Sequence, residues 1–196
     1  MKTNVVVLID GGHLRAVAKS ANKLYHAQLI QQVTHAVVNS PDEVLFRALY
    51  YDCEPFVGTV QQPISGNTYH FNHTSPLLSD IEQLERFAVR RGVLKFRGWE
   101  RKPRSLAKPA NTVTDADFIP RWEQKGVDIR LGLDMVALTE TRVAPVIVVL
   151  TGDTDLIPAM KLCRGRGLQV AGVDLPGRPI GKELRAHLDF FRSATL

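Results

Sequence analysis

Aspartates recur in this chain where apolar runs stop. Asp10 follows VVVLI, Asp128 ends the KGVD that opens a helical stretch, and Asp153 and Asp155 stand in TGDTD directly after VIVVL. Another, Asp134, interrupts an apolar helix face, since three- and four-residue spacing puts it with Val127, Leu131, Met135 and Leu138. Carboxylates gathered at one edge repel one another unless a cation lies between them. The pattern therefore points to a hard divalent ion with oxygen ligands, Mg²⁺ or Mn²⁺, and to phosphate chemistry. Each acid also has an ordinary alternative. Asp10 and one of the TGDTD pair suit helix caps, Asp128 suits a helix N-terminus, and Arg130 could pair with Asp134. The conjunction carries the reading; no single acid does.

A second feature is charge. The chain of 196 residues has net charge +5, and residues 90–108 hold Arg90, Arg91, Lys95, Arg97, Arg101, Lys102, Arg104 and Lys108 against Glu100 alone. A basic stretch accompanying an acidic constellation suggests a polyanionic partner. Arg97, Arg101, Lys102 and Arg104 are candidates for phosphate contacts, and Trp99 for stacking on an unpaired base. A solvated charged face and a packed indole are the plain alternatives.

The elements that must position these residues read as alternating strands and helices. Lys2–Ile9, Glu43–Tyr51, Val93–Trp99, Val146–Leu150 and Val170–Val173 read as strands. Leu14–Val38 (as two helices meeting near Tyr25), Pro76–Arg91, Val127–Thr139, Asp155–Arg166 and Lys182–Phe191 read as helices. Nearly all-apolar strands between helices predict an α/β fold with a mainly parallel sheet covered on both faces. In such sheets ligands bind at the carboxyl ends of strands, near a switch in strand order, where Asp10 and Asp153 should project. Asp52 ends the second strand beside Tyr50 and Tyr51, which suggest packing as much as chemistry. Excursion loops are expected near 56–75 and 100–114, with no internal repeat and no domain boundary along 1–196.

The blocks VVVLIDGGHL, EQKGVDIRLGLDM and VIVVLTGDTDLIPAM resemble, in order, spacing and context, the three signature blocks of NYN domains. These are the LabA-like branch of the PIN-like nuclease superfamily, and the resemblance runs from Val5 to about Asp174. It implies a three-layer α/β/α Rossmann-like fold in a single NYN/PIN-like domain, with a metal-dependent ribonuclease site. Asp10, Asp128, Asp153 and Asp155 would be its catalytic, metal-binding acids, and Asp134 would join the metal set. His13 departs from the pattern, standing where many relatives carry Asn. It could hydrogen-bond a phosphate or a water, or simply begin a helix. Thr151 and Thr154 replace a frequent Ser and keep the hydroxyl.

The leading expectation is thus a metal-dependent endoribonuclease acting on single-stranded or flexible RNA. A second reading is a catalytically weak or inactive RNA-binding regulatory module. A third, a small-molecule phosphohydrolase, needs a DxD after the first strand, where this chain has Asp10-Gly11-Gly12. DGG matches neither GxGxxG nor GK[ST], and no GxSxG is present. His70 and His73 lack the Cys or third His of a transition-metal site. The apolar runs are too short to span a bilayer, and two cysteines imply no disulfide framework, so a cytoplasmic setting is expected. The sequence leaves open whether the chain forms a homodimer.

Overall fold

A computed structural model describes residues 2–38 and 41–196. The chain divides into two compact units. The first holds the segment ending at Asp52 together with Pro76–Arg91 and Gly126–Leu196; the second holds Cys53–Ser75 and Gly92–Lys125.

The first unit is built on β1 (Thr3–Asp10), β2 (Glu43–Cys53), β7 (Val146–Leu150), β8 (Gln169–Asp174) and β9 (Phe190–Ser193). Its helices are α1 (Gly11–Ser20), α2 (Ala27–Ala36), α3 (Leu77–Glu82), α4 (Val127–Thr141), α5 (Ile157–Gly165) and the short α6 (Lys182–Arg185). The second unit contributes β3 (Gly58–Gln61), β4 (Thr68–Phe71), most of β5 (Phe87–Arg101) and β6 (Phe118–Lys125). The large sheet has the order β6-β5-β2-β1-β7-β8-β9. β1 pairs in parallel with β2 and β7, β7 with β8, and β8 with β9, whereas β5 and β6 are antiparallel. This is the mixed α/β architecture with a mainly parallel central sheet that the strand and helix pattern predicts.

Burial explains the strand sequences. Val5–Ile9 and Val146–Leu150 are buried throughout, as strands covered on both faces must be. The side chains of one face join Leu14, Val17, Ile30 and Val33 from α1 and α2, and Ile81 from α3, in the main core. Cys53 and Cys163 are buried and form no disulfide. No helix among the described residues is long and apolar enough to cross a membrane.

Three local expectations change. The helix expected over Pro76–Arg91 is confined to Leu77–Glu82, because Arg86 takes a left-handed backbone (φ 66°) and Phe87 already begins β5. The closing helix over Lys182–Phe191 stops at Arg185, and Phe190–Ser193 pairs with β8 instead. Asp189 anchors that switch: its backbone N–H donates to Val170 O at 2.8 Å, and its carboxylate accepts from Val170 N at 2.8 Å. The segment near 56–75 contains the β3–β4 hairpin, with Gly58 opposite Phe71 and Gln61 opposite Thr68. Its packing comes from rings distant in sequence. Phe71 lies 5.8 Å from Phe56, 6.0 Å from Phe96 and 5.0 Å from Trp122, centroid to centroid.

Asp174 ends β8, and the backbone N–H of Ile180, aided by the Arg185 guanidinium, holds its carboxyl below the ordinary 3.8. A carboxyl depressed by folding contributes stability above its unfolded value and loses it as pH falls through the folded one. Asp174→Asn is therefore expected to flatten the loss of urea stability below about pH 4. An acid limb identical to that of the parent chain would refute the assignment.

Candidate active site

β1 has β2 on one side and β7 on the other, so the chain leaves it in opposite directions and opens a crevice at the shared carboxyl edge. Asp10 is the last residue of β1, and Thr151 follows the last residue of β7. Ile9 lies opposite Leu150 in the parallel register, so Asp10 and Thr151 leave the sheet side by side.

A hydrogen-bond chain links these loops. Asp10 caps α1, its Oδ1 accepting from His13 N at 3.0 Å. Its Oδ2 accepts from Thr151 Oγ1 at 3.2 Å, and the same hydroxyl oxygen accepts from Asp153 N at 3.1 Å. Asp153 Oδ1 in turn accepts from Asp155 N at 2.9 Å. Asp10 and Asp153 thus both cap helical turns, as the plain reading of the sequence allows. Capping leaves oxygen lone pairs free on each carboxylate.

Asp128 enters from the first turn of α4. Partial desolvation raises its carboxyl above the ordinary value, and the negative charges of Asp153, Asp10 and Asp155 raise it further. These four acids therefore share one electrostatic neighbourhood. Asp134 is placed differently: its Oδ2 accepts from Tyr51 Oη at 2.8 Å and from Arg90 Nε at 2.8 Å, and burial keeps the Tyr51 phenol protonated well beyond the ordinary range. Arg130, the partner that spacing allows, donates instead to Gly126 O at 2.8 Å.

His13 lies against the TGDTD loop. A Cβ built on Gly152 would stand 3.0 Å from its Cε1 and Nδ1. Burial lowers the imidazole below its ordinary value; the Asp10 charge opposes this and the Arg178 charge assists it. Arg178 is an exposed cation in the turn after β8, set by a Leu175–Arg178 bridge and by Gly177 at φ 70°. Nothing in the local sequence singles it out, because the turn reaches the site only through the β7–β8 pairing.

Behind Asp10 lies a network that sequence reading met only as Asp52 and its tyrosines. Asp52 is 1% exposed and pairs with Arg15. Tyr50 Oη donates to Asp52 Oδ2 at 2.9 Å and lies 2.8 Å from Tyr25 Oη, which donates to Gly11 O at 3.2 Å. A Cβ on Gly11 would fall 2.5 Å from Tyr50 Oη, so only glycine fits between Asp10 and this network.

In the second unit, the basic stretch is partly engaged in internal bonds. Arg97 pairs with Glu123, Arg101 donates to Ser105 O and Lys108 O, and Lys102 donates to Ala116 O. The Trp99 indole N–H donates to Gln61 O at 2.7 Å, with its ring among Tyr69, Phe71 and Phe96. Arg104 is exposed.

The donor set of the first unit, carboxylates with a threonine hydroxyl, suits an oxygen-seeking divalent cation. The raised Asp128 carboxyl marks the repulsion such an ion would relieve. Among the described residues, no three acidic, histidine or cysteine side chains are gathered tightly enough to enclose an ion as they stand.

A mainly parallel central sheet flanked by helices is consistent with the three-layer α/β/α architecture of PIN-like proteins. The chain belongs to the NYN domain family, whose model matches residues 4–193, and that family lies within the PIN-like nuclease superfamily. A crystal structure of a Vibrio parahaemolyticus protein of unknown function is similar in fold, with a TM-score of 0.55 at 13% identity over 98% of this chain and 93% of that one. No curated protein matches the chain.

Proposed function

We propose that the protein is a metal-dependent endoribonuclease that hydrolyses phosphodiester bonds of single-stranded or flexible RNA, with Mg²⁺ or Mn²⁺ held by Asp10, Asp128, Asp153 and Asp155. The observation that carries this reading is the hydrogen-bond chain that joins Asp10, Thr151, Asp153 and Asp155 at the switch point, with Asp128 close enough for their charges to raise its carboxyl. Asp134 is proposed to act beside the metal set, oriented by Tyr51 and Arg90. When bound, the cation would lower the pKa of a water and neutralise charge on a phosphoryl oxygen.

The chain's own residues have separable tasks. Thr151 ties the Asp10 carboxylate to the Asp153 backbone, so it links the loops after β1 and β7. His13, neutral at pH 7, offers a hydrogen bond to the substrate phosphate without adding charge. Arg178 supplies positive charge at the acid edge. Arg97, Trp99, Arg101, Lys102 and Arg104 are proposed to contact RNA, with Arg97 and Arg104 the exposed members of the set.

The deciding experiment incubates pure protein with mixed RNA and Mn²⁺ or Mg²⁺, with EDTA as control. Cleavage that EDTA abolishes supports the reading; RNA left intact across metals and substrates overturns it. Intact RNA bound with a steep salt dependence would favour the binding-module alternative. Arg178→Ala and Arg104→Ala should each weaken RNA binding across sequences and reduce the slope of log affinity against log salt by about 1. Unchanged slopes in a filter-binding titration would remove these two residues from the interface.

A further inference from the structure

Helices α4 and α5 leave an apolar groove of about 570 Å³ between them. Its walls include Ile129 and Leu133 from α4 and Leu162 from α5, which remain 70%, 63% and 39% exposed. Aliphatic side chains clustered this openly mark a surface that contacts something. Gly132 keeps the floor low: a Cβ placed there would find its nearest neighbours at Leu156 Cδ2, 3.8 Å away, and Ala159 Cβ, 4.0 Å away. Asp128 and Asp155 also line the groove, and both belong to the acid cluster at the sheet edge. The groove and the candidate active site are therefore continuous.

We propose that this groove seats a nucleobase of the RNA, next to the phosphate brought to the acids. The inference rests on the ribonuclease reading and adds to it a base-binding subsite. A nucleobase presents two apolar faces and is tethered covalently to a phosphate. Aliphatic walls that run into the acid edge match both ends of such a ligand, the walls taking the ring and the cation that those acids would hold taking the phosphate. A protein segment, or a second copy of the chain, seated in the same groove would cover Asp128 and Asp155 and shut the phosphate out. A base fills the groove and leaves the acids working. Because the walls are aliphatic, the seat discriminates the presence of a base more than its identity.

The test uses the full chain and two variants, Ile129→Ser with Leu133→Ser, and Leu162→Ser. These side chains face solvent, so the fold survives their replacement. The substrates are an oligoribonucleotide and the same oligomer with one abasic position beside the cleaved bond. For the parent protein, KM should rise about tenfold on the abasic oligomer, the loss expected for one base contact. The variants should show that higher KM on both oligomers, with kcat nearly unchanged. Independently of cleavage, AMP, CMP, GMP and UMP should shift the methyl NMR signals of Ile129, Leu133 and Leu162. Equal KM values for parent and variants, or methyl signals that no nucleotide moves, would overturn the proposal. So would a parent chain that is dimeric by light scattering while the variants are monomeric, since a protein would then occupy the groove. Methyl shifts in a protein that cleaves no RNA would keep the subsite and remove the ribonuclease reading.

Discussion

Asp153→Asn and Asp128→Asn are each expected to lower RNA cleavage by about 10³-fold or more while leaving the folded protein intact. The loss would follow from removing an anionic ligand from the proposed site, where a bound cation would stabilise the transition state by several kcal/mol. The retained fold follows from the geometry. Asp153 caps a helical turn by accepting from Asp155 N, and asparagine caps as well as aspartate. The Asp128 carboxyl is raised by partial burial and then by its acidic neighbours, so ionised at neutral pH it costs stability. Its neutral replacement should therefore hold or slightly raise the urea midpoint in EDTA. Initial rates with Mn²⁺, read beside urea unfolding in EDTA, separate the two effects. A variant that keeps more than about a tenth of the parent rate would show that its carboxylate is not a ligand.

Arg15→Ala costs about 2–3 kcal/mol of stability, at the low end for breaking an ion pair with a buried member. Asp52 is 1% exposed, whereas the Arg15 side chain is 44% exposed, so the two partners are not equivalent. Without Arg15 the carboxylate stays buried, with less positive charge to balance it. Without Asp52 the guanidinium can turn to water, and the main loss is an acceptor for the Tyr50 hydroxyl, about 1–3 kcal/mol. Asp52→Asn, which keeps an acceptor, should be milder than Arg15→Ala. The network also reaches the site, because Tyr25 holds Gly11 O directly after Asp10. Cleavage in Arg15→Ala should thus fall even at temperatures where the chain is folded. Urea unfolding curves for both variants check the order, and a loss below about 0.5 kcal/mol for Arg15→Ala would remove the pair from the stabilising interactions.

Acids at strand ends, apolar strands of five or more residues, and helices of regular period were all legible in the chain. Each is a local pattern: a strand buried on both faces must be apolar throughout, and an acid that ends such a run lies at the sheet edge. Asp10, Asp153 and Asp155 could be placed at an edge on that ground alone, and Asp128 at a helix start. The β3–β4 hairpin and β6 were not legible, because they are held by rings contributed from separate segments and show no periodicity of their own. The C-terminal segment misled for a related reason. Its helical spacing continues to Phe191, but pairing with β8 through Asp189 and Val170 outweighs local propensity.

The candidate site divides in the same way. Sequence alone determined which acids to consider and the hard-cation chemistry they suit, since residue type and strand context are properties of short segments. Tertiary structure alone decided what surrounds them. It joined Thr151 to both Asp10 and Asp153, gave Asp134 to Tyr51 and Arg90, brought Arg178 to the electrostatic field of His13, and set Arg15 and Asp52 behind Gly11. Apart from Thr151 with Asp153 and Arg15 with Gly11, those partners lie tens of residues apart along the chain and are brought together by the pairing of the strands that carry them. A local pattern records what a segment can do, and only the register of the sheet decides which segments do it together.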